Sequence, residues 1–321
     1  MKRLMRLAVA ALAATAFAAP ALAAWPEKPL RIVVGFPPGS TGDLIARALA
    51  PKMADGLGQS VVVENRTGAG SSIAAEAVAR SPADGYTLLL STTANVINQS
   101  VSSSLKFDYL KDLVPVMLIA ENPVLLVAPA ASPATNIASL ITAAKAQPGK
   151  MTFASSGNGT FTHLYGELFN QQAGIKLNHV PYRGSTQAIT DVLAGIVDLS
   201  FTPSTPVLAN VKAGKLKAFA VIGRSRMAAL PDVPTFAEAK IAGFDSALWF
   251  GLNAPAGTPP DVIEKIVVQM RRALDAPEVK AQFAAQGINV VADGPARFGE
   301  QVAREHAQWA RIVKAADIKG E

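Results

Sequence analysis

The sequence predicts an α/β fold of two lobes, each lobe a mainly parallel sheet flanked by helices. Short apolar strands alternate with helical segments over residues 30–90, which is the rhythm of successive β-α-β units. A strand, a glycine-containing loop and a helix follow one another near 32–53 and again near 151–171. The apolar segment 248–254 is typical of a strand, and we expect it to return the chain to the first lobe. The predicted division is a signal peptide at 1–23, lobe I at 24–122 plus 248–321, and lobe II at 123–247.

The first residues have the pattern of an export signal. Lys2, Arg3 and Arg6 give a positive start, residues 7–19 form an apolar run, and small residues around Ala23 form a cleavage site. The sequence has no cysteine that could form a disulfide, act as a thiolate nucleophile or carry a lipid. We expect cleavage after Ala23 and a periplasmic protein without a lipid anchor.

The charge of the chain argues against a nucleic-acid partner. The formal net charge is +6, and three of the positive residues lie in the predicted signal peptide. The remaining positive charge is small and evenly spread, which suits a small anionic ligand better than nucleic acid. Three scattered histidines and no cysteine make a zinc site improbable. We expect a monomer with no metal and no cofactor.

The first glycine loop is the central feature of the sequence. A buried strand at 32–34 ends before Pro37 and Pro38, and a helix is predicted from Leu44. A strand, a tight turn and a helix N-terminus together leave backbone N–H groups directed at one place, which favours an anion. Considered alone, this loop is equally typical of an ordinary βα turn. Its turn residues are Gly39, Ser40, Thr41, Gly42 and Asp43.

The next two strands add polar residues near this loop. After the strand 61–63, the glycine-rich turn 64–70 lacks the third glycine of a dinucleotide-binding loop, because Ile73 occupies that position. The strand 86–90 ends in the hydroxyl-rich segment 91–95. Ligands of open α/β sheets gather at the carboxyl ends of strands, so we expect Thr92 beside the first loop.

The predicted second lobe repeats the same plan with different residues. Strands are predicted at 114–119 and 124–128, a helix at 137–146, and a strand at 151–154 that leads into the polar loop 155–163. A further short strand ends at Val180, and the strand at 199–201 ends in Thr202. The remaining predicted elements are helices at 164–171, 186–194, 262–274, 278–286 and 296–316, and a strand at 216–222. The last helix has an apolar face that we expect to pack on lobe I: Phe298, Val302, Trp309, Ile312 and Val313.

Five motifs in matching order resemble the receptors of the tripartite tricarboxylate transporters, the Bug or TctC family. They are F-P-P-G-S-T-G-D at 36–43, S-S-G-N-G-T-F-T-H at 155–163, V-P-Y-R-G at 180–184, A-G-K-L-K-A at 213–218 and A-P-A-G-T-P at 254–259. The resemblance implies a two-lobed periplasmic binding protein of type II (a Venus flytrap). Such a receptor binds a small carboxylate between its lobes and delivers it to a membrane permease.

The resemblance also implies a ligand site made from one loop of each lobe, partly through bridging water. Backbone N–H groups and hydroxyls can hold a carboxylate without a countercharge. Two positions depart from the family pattern, namely Ser40 in place of a second glycine and Thr202 in place of an acidic residue. The candidate ligand-binding residues are Phe36, Pro38, Gly39, Ser40, Thr41, Asp43, Thr92, Ser155, Gly157, Asn158, Gly159, Thr160, His163, Tyr182, Arg183 and Thr202.

Several of these residues have a second interpretation. His163 either faces the ligand or lies on the helix surface behind it. Asp43 is more typical of a helix cap that braces its loop than of a catalytic acid. Arg183 either pairs with a second carboxylate of the ligand or stays in solvent. Trp249 and Phe250 either stack on the ligand or belong to the core.

Two other functions are open at this stage. A carboxylate sensor that docks on a signalling partner would need the same two lobes. An exported hydrolase would use Ser155 or Ser156 with His163 and an acid such as Asp191. The sequence has no G-x-S-x-G motif, and a serine seven or eight residues before the histidine is no recognised catalytic arrangement.

Overall fold

The computed structural model describes residues 25–102, 105–182, 184–244, 247–315 and 318. The predicted signal peptide, its cleavage site after Ala23 and the candidate Arg183 lie outside these ranges. None of the helices within them has both the length and the apolar character that a bilayer span requires.

The first sheet has six strands in the order β11-β4-β10-β3-β1-β2. β1 pairs in parallel with β2 and β3, whereas β10 lies antiparallel between β3 and β4. The four inner strands β1, β3, β4 and β10 are buried over most of their residues, as expected for strands covered on both faces, whereas the edge strands β2 and β11 are partly exposed. Their bounds are β1 Leu30–Val34, β2 Val61–Asn65, β3 Thr87–Thr92, β4 Leu113–Asn122, β10 Leu248–Pro255 and β11 Asn289–Asp293.

The second sheet has five strands in the order β7-β6-β8-β5-β9. β6 pairs in parallel with β7 and β8, and β5 lies antiparallel between β8 and β9. Their bounds are β5 Val124–Pro129, β6 Thr152–Ser155, β7 Asn178–Pro181, β8 Leu199–Pro203 and β9 Leu216–Ile222.

The two-sheet α/β fold class is confirmed, but the sheets are mixed and not mainly parallel. β5 and β10 each run antiparallel to both neighbours, and each is the first strand after the chain changes sheet, whereas β11 is antiparallel to β4 without such a change. β4 ends at Asn122 and β5 begins at Val124, so no crossover helix separates them. Two consecutive strands can lie parallel in one sheet only if a crossover connection joins them. A strand that enters from the other sheet needs no such connection and can pair antiparallel to its neighbours. The exact lobe boundaries at 123 and 247 stay a prediction.

Helices cover both sheets. The early ones are α1 Thr41–Leu57, α2 Ser72–Ala79, α3 Thr93–Val101 and α4 Tyr109–Asp112. Those of the middle of the chain are α5 Ile137–Ala146, α6 Phe161–Ala173, α7 Ser185–Leu193 and α8 Leu208–Lys212. The last are α9 Pro260–Asp275, α10 Pro277–Ala285 and α11 Pro295–Ala315.

The final helix packs as expected and also reaches the second sheet's helices. The five predicted apolar residues of α11 are all buried, and the helix contacts α3 and β4. The ring of Trp309 lies edge-on to Tyr165 of α6, with ring centroids 5.4 Å apart. This contact joins the end of the chain to the helix that follows the second glycine loop.

Candidate functional site

A cavity of about 320 Å³ lies where the N-terminal ends of four helices meet, and this volume is typical of small-molecule sites. Two of the helices, α1 and α6, follow the two glycine loops. The other two, α2 and α3, follow β2 and β3 of the first sheet. Because each helix N-terminus carries partial positive charge, their convergence favours an anionic ligand.

The buried side chain of Asp43 fixes the conformation of the first loop through hydrogen bonds. Its side chain is 2 % exposed and accepts hydrogen bonds from the Gly39 N–H (2.9 Å), Arg47 Nε (2.9 Å) and Asn65 Nδ2 (2.9 Å). Asn65 also donates to the Phe36 carbonyl at 2.9 Å. Burial alone raises the pKa of Asp43, but these hydrogen bonds outweigh burial and lower the pKa below its usual value. The Asp43 carboxylate therefore stabilises the conformation of the loop.

The first loop ends in an exposed helix N-terminus. Gly39 has φ +81°, a conformation that glycine adopts without strain. Ser40 caps α1, its Oγ accepting from the Asp43 N–H at 3.4 Å. The helix begins at Thr41, three residues before the expected start at Leu44. Ser40 and Thr41 both line the cavity.

The second loop is held by its own hydroxyls. Thr160 Oγ1 donates to the Gly157 carbonyl at 2.7 Å, and Thr162 Oγ1 accepts from the Ser156 N–H at 2.9 Å. Thr160 Oγ1 lies 2.9 Å from Thr162 Oγ1, but the Thr160 side chain does not cap a backbone N–H of α6. The first N–H groups of α6 therefore have no side-chain cap, and Asn158, Gly159 and Thr160 next to them border the cavity.

Two stacked histidines lie behind the second loop. The rings of His163 and His179 are nearly parallel, with centroids 3.8 Å apart. His163 Nδ1 accepts from the Gly159 N–H at 3.1 Å, and Ser155 Oγ lies 2.6 Å from His179 Nε2. Burial is the main cause that lowers the pKa of each histidine to about 4, and for His179 the charge of His163 contributes to that value. His163 thus positions the loop instead of facing a ligand.

The structure brings together seven of the candidate residues and places eight others elsewhere. The seven that line the cavity are Phe36, Ser40, Thr41, Thr92, Asn158, Gly159 and Thr160. The eight that do not are Pro38, Gly39, Asp43, Ser155, Gly157, His163, Tyr182 and Thr202.

The side chains of Tyr182, Thr202 and Ser155 make contacts within their own lobe and do not line this cavity, so their contact with a ligand stays a prediction. The Tyr182 hydroxyl donates to Asp191 at 2.6 Å, and Thr202 is 1 % exposed within the second sheet. Ser155 has no exposed surface, and its histidine neighbour is His179. Asp191 bonds to Tyr182 and not to a histidine, so these groups do not form the postulated hydrolase triad.

Sequence reasoning missed the contributions of α2 and α3. Gly70 and Ser72 border the cavity from the turn that was discounted as a dinucleotide loop. Thr92 begins a helix instead of only ending a strand, and it forms a capping box with Asn95. The spacing of Thr92 and Asn95 was the available signal for that helix. The remaining missed lining residues are Gly42, Ala69, Ala94, Asn98, Val101, Ser102, Leu105, Ser156, Phe161 and Leu248.

The two aromatic residues of β10, Trp249 and Phe250, have different surroundings. Trp249 is fully buried, and its Nε1 donates to Glu305 Oε2 at 2.6 Å. Phe250 borders the cavity beside Gly42, although only 3 % of its surface is exposed. Core packing is therefore the correct interpretation for Trp249, and contact with the cavity is correct for Phe250.

The cavity wall contains no charged side chain among the described residues. Within the same residues, no three His, Cys, Asp or Glu side chains cluster in a way that could hold a metal ion. Hydroxyls, backbone N–H groups and helix dipoles are the polar groups that this wall offers.

The chain is similar to known proteins over almost its whole length. The family model described as "Tripartite tricarboxylate transporter family receptor" matches residues 45–318. Protein BugT of Bordetella pertussis is 37 % identical over 322 residues, which cover 99 % of each chain. A solved periplasmic transporter superposes with a TM-score of 0.83 at 35 % identity and covers 93 % of this chain and 100 % of its own. Rpa4515 of R. palustris, solved with adipate, has a TM-score of 0.81 at 33 % identity and covers 92 % of this chain and 99 % of its own.

Proposed function

Because the chain belongs to the tripartite tricarboxylate transporter receptor family, we propose that it captures a small carboxylate in this cavity. The receptor works in the periplasm after removal of residues 1–23 and passes its ligand to the membrane permease of such a transporter. It acts as a solute-binding protein, as its relatives do, and catalyses no reaction.

The observation that carries this proposal is the meeting of α1 and α6 at one cavity. α1 follows a strand of the first sheet, and α6 follows a strand of the second. A carboxylate between Ser40, Thr41 and Thr160 would accept hydrogen bonds from both helix ends. A ligand that contacts both sheets also favours a closed arrangement of the lobes, which is a signal that a permease can read.

One relative supports the chemical class of the ligand. Rpa4515, at 33 % identity, was solved with adipate, a small carboxylate. The cavity offers the donors that such a group requires, and none of its described lining side chains is charged.

The test is a thermal-shift screen of the mature chain against mono-, di- and tricarboxylates, followed by calorimetry on each positive compound. Ligand at about one hundred times its Kd adds roughly 2.7 kcal/mol to the free energy of unfolding, which raises the Tm by several degrees. The variant Ser40→Leu with Thr160→Leu should lose this shift, because both side chains would fill the carboxylate position.

The matched control is Thr142→Leu with Thr190→Leu, since both threonines are exposed on helices away from the cavity. That control should bind like the unmodified protein. Equal affinity in the Ser40 and Thr160 double variant would refute the proposed site. Delivery is measured as uptake of the same carboxylate into proteoliposomes that contain the permease, with and without receptor.

A further inference from the structure

We propose that the ligand carries one carboxylate on an apolar body, and that the cavity disfavours di- and tricarboxylates. This inference rests on the proposed function and narrows it. It depends on which helix ends have unused donors, on the composition of the cavity wall, and on how close that wall lies to the donors.

Unused backbone donors occur at α1 and α6. In the first turn of α1, the Asp43 N–H bonds to Ser40 Oγ, which leaves the N–H groups of Thr41 and Gly42 without a partner among the described residues. In α6, the N–H groups of Phe161 and Thr162 likewise have no hydrogen-bond partner among the described residues, because the Thr160 side chain does not cap the helix. These donors belong to the two ends that form the proposed carboxylate site.

The ends of α2 and α3 use part of their donors within the chain, and in α2 the Ser72 N–H donates to the Ala69 carbonyl. Ahead of α2, the Ser71 N–H donates to the Gly68 carbonyl at 3.0 Å, in a short 3₁₀ turn. At α3, the Ala94 N–H donates to Thr92 Oγ1 at 3.2 Å, and Asn95 Oδ1 accepts from the Thr92 N–H at 2.9 Å. A second carboxylate at this side of the cavity would find these donors already in use.

The side-chain amide of Asn98, on the same side of the cavity, is also occupied by contacts within the chain. Its amide Nδ2 donates to the Gly70 carbonyl at 2.8 Å and lies 2.9 Å from Ser72 Oγ. The side chain that could have offered a second anion its N–H groups therefore holds the neighbouring loop.

The wall beyond the donors is apolar and close to them. Its larger side chains are Phe36, Val101, Leu105, Phe161, Leu248 and Phe250. A Cβ on Gly159 would lie 2.9 Å from Val101 Cγ1, and a Cβ on Gly42 would lie 3.6 Å from Phe250 Cε1. The atoms that follow the carboxylate along the ligand thus meet hydrocarbon on both sides.

These contacts decide between the two kinds of ligand. A second carboxylate placed against this wall would lose its water without gaining a cation among the described residues, and neutral groups such as the Asn158 amide would be its partners there, which is unfavourable. Each CH₂ group buried there instead strengthens binding about fourfold, the equivalent of about 0.8 kcal/mol. A straight-chain or aromatic monocarboxylate fits both conditions.

The experiment compares acids of equal length that differ by one charge. Calorimetry of the mature chain with hexanoate and adipate, and with 4-methylbenzoate and terephthalate, should show at least tenfold tighter binding of the monocarboxylate in one pair. Hexan-1-ol should not bind detectably, because it lacks the anion. Equal or tighter binding of the dicarboxylate in both pairs would overturn the inference and leave the proposed function standing. If no acid of the wider carboxylate screen binds, the proposed function itself fails and this inference fails with it.

A substitution in the apolar part of the cavity wall provides a second test of the inference. Val101→Thr exchanges one methyl for a hydroxyl of similar size and should weaken hexanoate binding about fourfold. Val268→Thr is the control, because Val268 is 54 % exposed outside the cavity. Unchanged hexanoate affinity in Val101→Thr would contradict the apolar contact. If the unmodified chain binds adipate and Arg183→Gln does not, a second carboxylate has a cationic partner. That result would also overturn the inference.

Discussion

Replacing Gly159 by alanine should weaken ligand binding, whereas replacing Gly174 should not. The two glycines flank the same helix α6, and both have positive φ, +68° and +61°. An alanine in this conformation costs about 1–2 kcal/mol at either site. For a chain of this size the Tm should fall by roughly 2–5 °C in both variants.

The two sites differ in what the added methyl group meets. At Gly174 no atom lies within 4 Å of the new Cβ. At Gly159 the new Cβ lies 2.9 Å from Val101 Cγ1, closer than such contacts allow, so Val101 or the loop must shift. Val101 is β-branched and ends α3, so it has few rotamers available. The displacement therefore changes the shape of the cavity beside the carboxylate donors.

The assay is calorimetry with the best carboxylate from the screen, with the Tm of each variant measured without ligand. We expect about a tenfold loss of affinity in Gly159→Ala, similar to losing one good hydrogen bond of about 1.4 kcal/mol. Gly174→Ala should bind normally despite a similar fall in Tm. An equal loss of affinity in both variants would show that general strain is responsible and would refute the reasoning.

Two further predictions concern titratable groups beneath the loops. The pKa of His163 and of His179 falls from 6.5 to about 4 on folding, so the unfolded chain binds protons first as the pH falls. Urea denaturation should show about 3 kcal/mol less stability at pH 5 than at pH 7, and this loss should fall to roughly half in His179→Gln. Asp43→Asn should weaken carboxylate binding and lower the free energy of unfolding by about 1–3 kcal/mol at pH 7, because it removes the charge that Arg47 contacts. That difference should narrow below pH 4, since the lowered pKa of Asp43 stabilises the fold only while the carboxyl is ionised.

The sequence alone could predict the loops, because their signals are local. Proline stops a strand at Pro37, and glycine permits the turn at Gly39 whatever the surrounding fold. The helices on either side have apolar residues at regular spacing, which is also a local property. The predicted helices at 262–274, 278–286 and 296–316 accordingly differ from the observed ones by one or two residues at their ends.

Strand direction and the edge of the first sheet could not be predicted in this way. Whether β10 runs parallel or antiparallel to β3 depends on where the chain returns from the other sheet, which no local pattern records. β11 was not predicted, because its residues at 289–293 are mostly half-exposed and it pairs only with β4. Its partner lies more than 160 residues earlier in the chain, at Leu118–Glu121.

The side chains most readily interpreted as ligand contacts instead hold the loops in place. Asp43 and His163 each lie four residues after the glycine whose N–H they accept, Gly39 and Gly159, one in each half of the chain. In both loops a helix side chain fixes one glycine N–H and leaves the next donors of the helix for a ligand. Preorganised donors of this kind bind an anion without the entropy loss of ordering a flexible loop. In the proposed site, the most polar residue of each loop positions its backbone and the backbone N–H groups bind the anion, which is why polar residue type alone is a poor guide to the contacts.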